Sequence, residues 1–472
     1  IDERTAAFFA LGIIKATGRP VPVVCTSGTA VANYHPAVLE ASHTNAPLLV
    51  LTADRPAILR KTGANQTTEQ ARIYGKAVRY FADIDGPVFP MELPFDSLRS
   101  GPVHLNVQFD EPMLPDDSDK WLDEIVISAK AFESRTKPTT LKSDSNRGVL
   151  VIGHDRAGLS LESVRKFAKE LGWPIIAEDP LSFPDAVAHA SIFLTSAQIR
   201  AALIPQTVIV IGRTTLSRSI NAFSKLAPTQ VVIDPRMATV DSDRQADKRF
   251  TQLPVLNTHK ASPEWLDQWD KYSLRCAKNV DGLTGFTEAV IAKEIAANLP
   301  EGSTLFVSSS RPIRDLEGFA TPRSGVTTHA NRGLAGIDGN ISTALGIALA
   351  SKQTFAVLGD LSFLHDLTGL IHREEINCSF IVINNDGGGI FSTLPQRGVD
   401  GFESVFGTPH SLDPAAIAKA MGISATTISS VDELKKTLKA PVKGISIVVA
   451  NVPSRDENAD SLKAIYESMN SI

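Results

Sequence analysis

The amino-acid sequence predicts an α/β protein built from parallel sheets with helices on both faces. Ten short runs of β-branched and apolar residues alternate with helical stretches along the chain. Continuously apolar strands are typical of parallel sheets that are buried on both faces. The chain has 472 residues, of which 43% are hydrophobic and 21% charged, a length that corresponds to about three ordinary domains. We therefore expect three doubly wound domains.

The expected strands divide into three groups along the chain. They span residues 21–25, 47–52, 103–107, 149–152, 208–211, 230–233, 304–307, 354–357, 380–383 and 445–449. Residues 116–147 are polar and predict a linker, and residues 255–284 carry a Trp- and Tyr-bearing helical pattern that predicts a linker helix. The three domains are then expected at residues 1–115, 148–254 and 285–472.

Composition and charge argue against several classes of function. Lys and Arg number 47 against 52 Asp and Glu, which gives a net charge of −5, and no long basic block is present, so we expect no nucleic-acid partner. The apolar runs are far shorter than the roughly 20 residues that span a bilayer, so no membrane insertion and a cytoplasmic location are expected. The three cysteines are widely separated, which indicates neither a disulfide framework nor a zinc site.

The most informative segments follow two neighbouring expected strands. Gly359-Asp360-Leu361-Ser362 comes after one of them, and Asn384-Asn385-Asp386-Gly387 comes after the next. Ligands of open α/β sheets bind at the carboxyl ends of strands, and carboxylate and amide oxygens suit Mg²⁺ with a diphosphate. On spacing alone, a strand-end turn and a tight loop explain the same residues.

This Gly-Asp pair, followed about two dozen residues later by Asn-Asn, resembles the cofactor motif of thiamine diphosphate (ThDP)-dependent enzymes. The resemblance implies ThDP and Mg²⁺, or Mn²⁺, with the metal on Asp360, Asn385 and the Gly387 carbonyl. Leu361 stands where the motif usually has Gly. The further residues that the resemblance assigns to the cofactor are Glu3, Thr26, Ser27, Gly28, Ile337, Gly359, Leu361, Ser362, Gly388, Ile390 and Phe391.

Other segments resemble one family within this class, the 2-succinyl-5-enolpyruvyl-6-hydroxy-3-cyclohexene-1-carboxylate (SEPHCHC) synthases of menaquinone biosynthesis, in which Leu also occupies the third motif position. The segments are Asp2-Glu3-Arg4, residues 26–30, residues 51–56, residues 63–66 and residues 331–339. The resemblance implies decarboxylation of 2-oxoglutarate and addition of the succinyl unit to isochorismate.

The same resemblance gives roles to individual side chains. Glu3 would act on the aminopyrimidine ring of ThDP, although a Glu at a helix start is usually a surface residue that stabilises the helix dipole. Ile337 would prop the cofactor, and is otherwise an ordinary core residue. Both substrates carry two carboxylates, which arginine binds well. The candidates for substrate binding and catalysis are Arg55, Asn65, Gln66, Ser310, Arg314 and Arg332, for which a surface position is the plain alternative.

The resemblance also leads to expectations about assembly. Family members carry a segment ahead of Asp2-Glu3-Arg4, so we expect the first domain to lack its N-terminal portion. A homodimer or homotetramer is implied, with the active site between the first domain of one subunit and the third of its partner. Two alternatives stay open: another ThDP-dependent 2-oxo acid lyase, such as an acetolactate synthase, and a non-catalytic ThDP-binding subunit.

Overall fold

Three large parallel sheets follow one another along the chain. The computed structural model describes residues 1–86, 94–111, 139–236, 246–371 and 375–471. All ten expected strands are present in it, which confirms the α/β class. Most of the predicted linker at 116–147 lies outside the described residues, and the predicted domain boundaries stay a prediction.

The first sheet has four parallel strands in the order β1-β2-β4-β3. Its elements are α1 (Glu3–Thr17), β1 (Val21–Cys25), α2 (Thr29–Asn33), α3 (His35–Thr44), β2 (Leu48–Asp54), β3 (Tyr80–Asp85), α4 (Phe95–Leu98) and β4 (Val103–Gln108). Apolar side chains of α1, α2 and α3 pack on β1 and β2 in one core. Asp2 begins α1 by accepting the Arg4 backbone N–H at 2.9 Å, which fixes the position of Glu3.

The middle part contains a five-stranded parallel sheet in the order β10-β9-β8-β6-β7, beside a two-stranded sheet of β5 and β11. Its strands are β5 (Thr140–Ser143), β6 (Gly148–Ile152), β7 (Ile175–Ala177), β8 (Thr207–Ile211), β9 (Thr229–Ile233), β10 (Lys248–Phe250) and β11 (Val255–Thr258). Its helices are α5 (Leu161–Leu171), α6 (Ala190–Phe193), α7 (Ala197–Ala202), α8 (Arg218–Ser224) and α9 (Pro263–Asp281). Both predicted linkers thus contribute a strand, because β5 pairs with β11.

The third sheet has six parallel strands in the order β13-β12-β14-β15-β17-β16. The strands are β12 (Ser303–Val307), β13 (Val326–His329), β14 (Thr354–Gly359), β15 (Cys378–Asn384), β16 (Ser424–Ile428) and β17 (Ile445–Asn451). The helices are α10 (Glu288–Asn298), α11 (Arg311–Phe319), α12 (Asn340–Leu349), α13 (Asp360–His365), α14 (Pro414–Ala420), α15 (Val431–Lys439) and α16 (Arg455–Ser468). Buried clusters on both faces account for the apolar runs of β14 and β15.

Helices α1 and α12 pack against each other through glycines. A Cβ atom on Gly12 would overlap the carbonyl oxygen of Thr343, and one on Gly346 would overlap that of Phe9. The two backbones are therefore in direct contact, which joins the first and third parts of the chain. Among the described residues, no helix is both long and apolar enough to cross a membrane.

Candidate functional site

Asp360 and the loop at residues 384–389 meet at the carboxyl ends of β14 and β15, two neighbouring strands in register. The Asp360 side chain is 3% exposed. Its Oδ2 accepts the backbone N–H of Gly387 at 2.9 Å and of Asn385 at 3.2 Å. Burial raises the pKa of Asp360, although the backbone N–H groups of Gly387 and Leu361, and His410, oppose the rise. The carboxylate thus fixes the conformation of the glycine-rich loop.

Glycines are required in this loop because the chain is crowded there. Gly387 has φ 134°, and a Cβ atom on it would overlap the Gly407 carbonyl oxygen. A Cβ on Gly388 would likewise overlap the Phe406 carbonyl oxygen. The loop therefore presents backbone groups rather than side chains, as a surface that approaches a diphosphate must.

The three expected metal ligands lie together, and their chemistry fits Mg²⁺. The amide oxygen Oδ1 of Asn385 is buried and has no hydrogen-bond partner among the described residues. The Gly387 carbonyl accepts only the N–H of Gly389, at 2.9 Å, among the described backbone groups, so one of its lone pairs is free. No cluster of three or more His, Cys, Asp or Glu that could hold a metal is found in the described ranges. The candidate set has one carboxylate, and its oxygens suit a cation that keeps water and phosphate ligands.

Ser362 and Ile337 are joined by a hydrogen bond. The Ser362 hydroxyl donates to the Ile337 carbonyl at 2.9 Å and accepts from the Asn340 amide at 2.9 Å. The Ser362 hydroxyl thus links the loop before α12 to α13. Ile337, which is half-buried, therefore lies beside residues 359–362. A Cβ on Gly359 would meet only open space, so this edge of the motif has room for a ligand. Half-buried positions are also found for Leu361, Ile390 and Phe391.

A second group of expected residues gathers at the carboxyl end of β1. The Ser27 hydroxyl donates to the Gln66 carbonyl at 2.8 Å and accepts from Arg55 Nη1 at 2.6 Å. The Gln66 amide donates to Thr26 Oγ1 at 3.2 Å. Gly28 has φ 81° and ψ −131° and is the N-cap of α2. Asn65 is exposed next to this group.

Glu3 lies beside the same strand end. Its Oε2 accepts from the Asn33 amide at 3.4 Å. Burial raises the pKa of Cys25 to about 12, and the negative charge of Glu3 adds to the effect. Among the described residues, no hydrogen bond or ion pair joins the expected residues of the first sheet to those of the Asp360 site. The residues beside Glu3 contact the third part of the chain, because Arg4 Nη2 donates to the His365 carbonyl at 2.8 Å and the Thr368 hydroxyl donates to Asp2 Oδ2 at 2.8 Å.

The expected arginines differ in their surroundings. Arg332 is 2% exposed and donates to the Glu178 carboxylate, with 2.8 Å between Nη2 and Oε1. Arg314 Nη1 donates to the Ser310 carbonyl at 2.6 Å. Burial, together with the nearby cations Arg311 and Arg332, lowers the pKa of Arg314. Arg311 pairs with Glu288 and Asp315, and Arg332 pairs with Glu178, so carboxylates lie among these guanidinium groups.

Sequence reasoning missed several residues that hold these groups in place. Gln70 is fully buried, accepts the Gly28 N–H at 3.0 Å and donates to Asn106 Oδ1 at 2.8 Å. Glu40 on α3 accepts the backbone N–H groups of Gly333 at 2.8 Å and Leu334 at 2.7 Å. Neither residue lies in a recognisable motif, so no local pattern could have identified them.

Three family models match the chain in sequence order. They are described as "Thiamine pyrophosphate enzyme, N-terminal TPP binding domain" (residues 1–73), "Middle domain of thiamine pyrophosphate" (residues 115–307) and "Thiamine pyrophosphate enzyme, C-terminal TPP binding domain" (residues 315–452). Thiamine pyrophosphate is ThDP. With the fold and the Asp360 site, these matches define the class of protein: a ThDP-dependent enzyme.

Curated relatives narrow the class to one family. A protein of Thermobifida fusca is 38% identical over 93% of this chain and 85% of its own length. A protein of Lysinibacillus sphaericus is 34% identical over 100% of this chain and 90% of its own, and one of Nocardioides sp. is 38% identical over 98% and 87%. Each is named 2-succinyl-5-enolpyruvyl-6-hydroxy-3-cyclohexene-1-carboxylate synthase. The chain belongs to this SEPHCHC synthase family.

A solved structure agrees at the level of the fold. Benzoylformate decarboxylase from Polynucleobacter necessarius superposes with a TM-score of 0.65, over 96% of this chain and 91% of that one. Sequence identity is 16%, so the similarity shows the three-domain fold alone.

Proposed function

We propose that the protein catalyses ThDP- and Mg²⁺-dependent decarboxylation of 2-oxoglutarate and transfer of the succinyl unit to isochorismate, which yields SEPHCHC. The observation that carries the proposal is the buried Asp360 carboxylate, which accepts the Asn385 backbone N–H, together with an Asn385 amide oxygen that has no partner in the described part of the chain. The relatives of this chain bear the name of this synthase. A cytoplasmic location stays a prediction from the sequence.

The Asp360 site is proposed to hold the metal and the diphosphate. Asp360, Asn385 Oδ1 and the Gly387 carbonyl would bind Mg²⁺, and Mn²⁺ has the same preference for oxygen ligands. ThDP held there would supply a thiazolium carbon able to carry the decarboxylation of a 2-oxo acid. The half-buried apolar side chains of Ile337, Ile390 and Phe391 would exclude water from that carbon.

Glu3 is proposed to hold the proton of the aminopyrimidine ring. Its place at the start of α1, near Cys25 at the end of β1, supports this role. At the end of β1, the Gln66 amide donates to Thr26 Oγ1 and to the Ser27 carbonyl. These bonds would hold the loop at residues 26–28 in place for proton transfer.

The substrate carboxylates are proposed to meet Arg55, Arg314 and Arg332. Arg332 uses Nε and Nη2 for Glu178, which leaves Nη1 for a substrate. Arg314 lies close enough to Arg332 and Arg311 for their charges to lower its pKa, and a carboxylate would relieve this repulsion. Asn65, Gln66 and Ser310 would add hydrogen bonds.

A homodimer or homotetramer is proposed on the resemblance to this family, in which the active site lies between the first domain of one subunit and the third domain of its partner. Large apolar side chains on the first part of the chain are exposed, among them Val24 at 70% and Ile58 at 82%, and burying them would stabilise such an assembly.

Mass spectrometry of the products tests the proposal. Purified protein is incubated with ThDP, Mg²⁺, 2-oxoglutarate and isochorismate, and each component is omitted in turn. The succinylated adduct should form in the complete mixture alone. Acetolactate formed from pyruvate would favour the acetolactate synthase alternative. Binding of ThDP and Mg²⁺ without consumption of any 2-oxo acid would instead favour a non-catalytic subunit.

A further inference from the structure

The orientation of the Asn385 amide decides whether it can bind a metal. An Asn side chain carries an oxygen acceptor and an NH₂ donor on the same carbon, and only the oxygen is a ligand for Mg²⁺. In the structure, Nδ2 donates to Glu288 Oε1 at 2.5 Å, and Oδ1 is the buried atom without a partner among the described residues. The Asn385 side chain is therefore held in place by the hydrogen bond that its Nδ2 donates to Glu288.

Glu288 is itself fixed at both carboxylate oxygens. It is the first residue of α10 and is 5% exposed. Oε1 accepts from Asn385, and Oε2 accepts from Arg311 Nε at 3.3 Å. Its backbone N–H donates to Asn458 Oδ1 at 3.2 Å. A carboxylate has no proton to donate, so its neighbour must present NH₂ to it.

A role in stabilising the helix dipole explains less of this arrangement. Glu in the first turn of a helix is favourable even when fully exposed, whereas Glu288 is buried and contacts a residue 97 positions away in the sequence. The contact joins the start of α10 to the loop after β15, which is the loop with two of the expected metal ligands.

We propose that Glu288 is a positioning residue that holds the Asn385 amide with its oxygen toward the metal. Arg311, which also pairs with Asp315, anchors the Glu288 carboxylate in turn. The inference rests on the proposed Mg²⁺ site, since Glu288 touches Asn385 and acts through it. Residues that orient metal ligands in this way typically change metal affinity by about 10- to 100-fold when they are replaced.

The test measures Mn²⁺ affinity of the full chain with saturating ThDP, by electron paramagnetic resonance of free Mn²⁺. In Glu288→Gln, Arg311 requires the amide oxygen, so the new NH₂ faces Asn385 and turns its amide over. Mn²⁺ affinity should fall about 10- to 100-fold. In the double variant Glu288→Gln with Asn385→Asp, the new amide NH₂ at position 288 can donate to the new carboxylate at position 385. The double variant should therefore bind Mn²⁺ more tightly than either single variant.

The chain offers a matched control on the same helix. Glu294 also accepts from an asparagine amide, that of Asn298 at 3.0 Å, and Glu294→Gln should leave Mn²⁺ affinity unchanged. If Glu288→Gln does not fold, Glu288→Asp keeps the charge next to Arg311 but withdraws the oxygen from Asn385. That variant should lose affinity as well.

The outcomes separate this inference from the proposed site. Wild-type affinity in Glu288→Gln, or additive losses in the double variant, would overturn the positioning role even if Asn385→Ala weakens Mn²⁺ binding. If Asn385→Ala has no effect, the metal does not bind at Asn385, and the site and the inference fail together.

Discussion

The guanidinium of Arg332 donates to the carboxylate of Glu178, which follows β7 of the middle sheet. Nη2 and Oε1 are 2.8 Å apart, and the two side chains are 2% and 1% exposed. Glu178 also accepts the backbone N–H groups of His154 and Leu216. Since Glu40 binds the next two residues of the same loop, carboxylates from the first and middle parts of the chain fix the loop that carries Ile337.

Replacement of Arg332 by Leu should destabilise the protein strongly. It leaves Glu178 buried without its cation, which typically costs about 3–5 kcal/mol. Thermal unfolding followed by circular dichroism measures the effect. The exposed pair of Arg397 and Asp460, with side chains 33% and 62% exposed, is the control, because Arg397→Leu should cost at most about 1 kcal/mol. Equal losses of stability in the two variants would show that the buried pair of Arg332 and Glu178 stabilises the protein no more than the exposed pair does.

Replacement of Glu3 by Gln should reduce the catalytic rate but leave ThDP binding nearly unchanged. The amide is isosteric, so ThDP affinity should stay within about threefold, while a lost general acid–base group typically reduces the rate about 100-fold or more. ThDP affinity from fluorescence quenching and steady-state rates give the two quantities. A variant that turns over at the wild-type rate would remove Glu3 from the chemistry.

Replacement of Ser310 by Gly should stabilise the protein but reduce activity. Ser310 has φ 74° and ψ −126°, close to the values of Gly28 before α2, and this backbone conformation strains any residue with a Cβ. Relief of strain should outweigh the entropy cost of Gly by about 1 kcal/mol. Ser310→Ala loses the same hydroxyl but keeps the strain, so it should lose activity without gaining stability. Equal melting temperatures for the two variants would contradict this account.

The stability of the protein should depend on Asp366 at mildly acidic pH. Burial raises the pKa of Asp366 to about 6 in the folded state from a usual value of 3.8. The folded protein then binds the proton more tightly than the unfolded chain. The contribution of protonated Asp366 to the free energy of unfolding is therefore lost as pH rises from about 4 to 6. Asp366→Asn still accepts the Ser342 N–H through its oxygen. The difference in melting temperature between Asp366→Asn and wild type should therefore increase in favour of the variant across this pH range and stay constant above it. A difference that does not depend on pH would contradict the raised pKa of Asp366.

The strands show what the sequence could and could not reveal. All ten apolar runs are strands, because a parallel strand between two helical layers must be apolar on both faces. The strands that sequence analysis missed are β3, β5, β7, β10, β11, β13 and β16. Each lies at a sheet edge or in the two-stranded sheet, where one side has no neighbouring strand. Most of them are partly polar, and β7, which is apolar and buried, has only three residues, so no long apolar run marks any of them.

The candidate site was predictable only where its residues belong to short motifs. Asp360 and Asn385 could be paired because both follow strands that are neighbours in the sheet. The contact of Glu288 with Asn385 depends on how α10 packs near β15, and burial of Arg332 depends on the middle sheet. Contacts between distant segments of this kind leave no local periodicity in the sequence.

The most direct test of the account is a crystal structure with ThDP and Mn²⁺, in which anomalous scattering locates the metal. We predict one strong anomalous peak between Asp360, the Asn385 amide oxygen and the Gly387 carbonyl, with the diphosphate beside it and Glu3 of a second copy at the aminopyrimidine ring. A metal bound elsewhere, or an Asn385 amide with its nitrogen toward the metal, would contradict it.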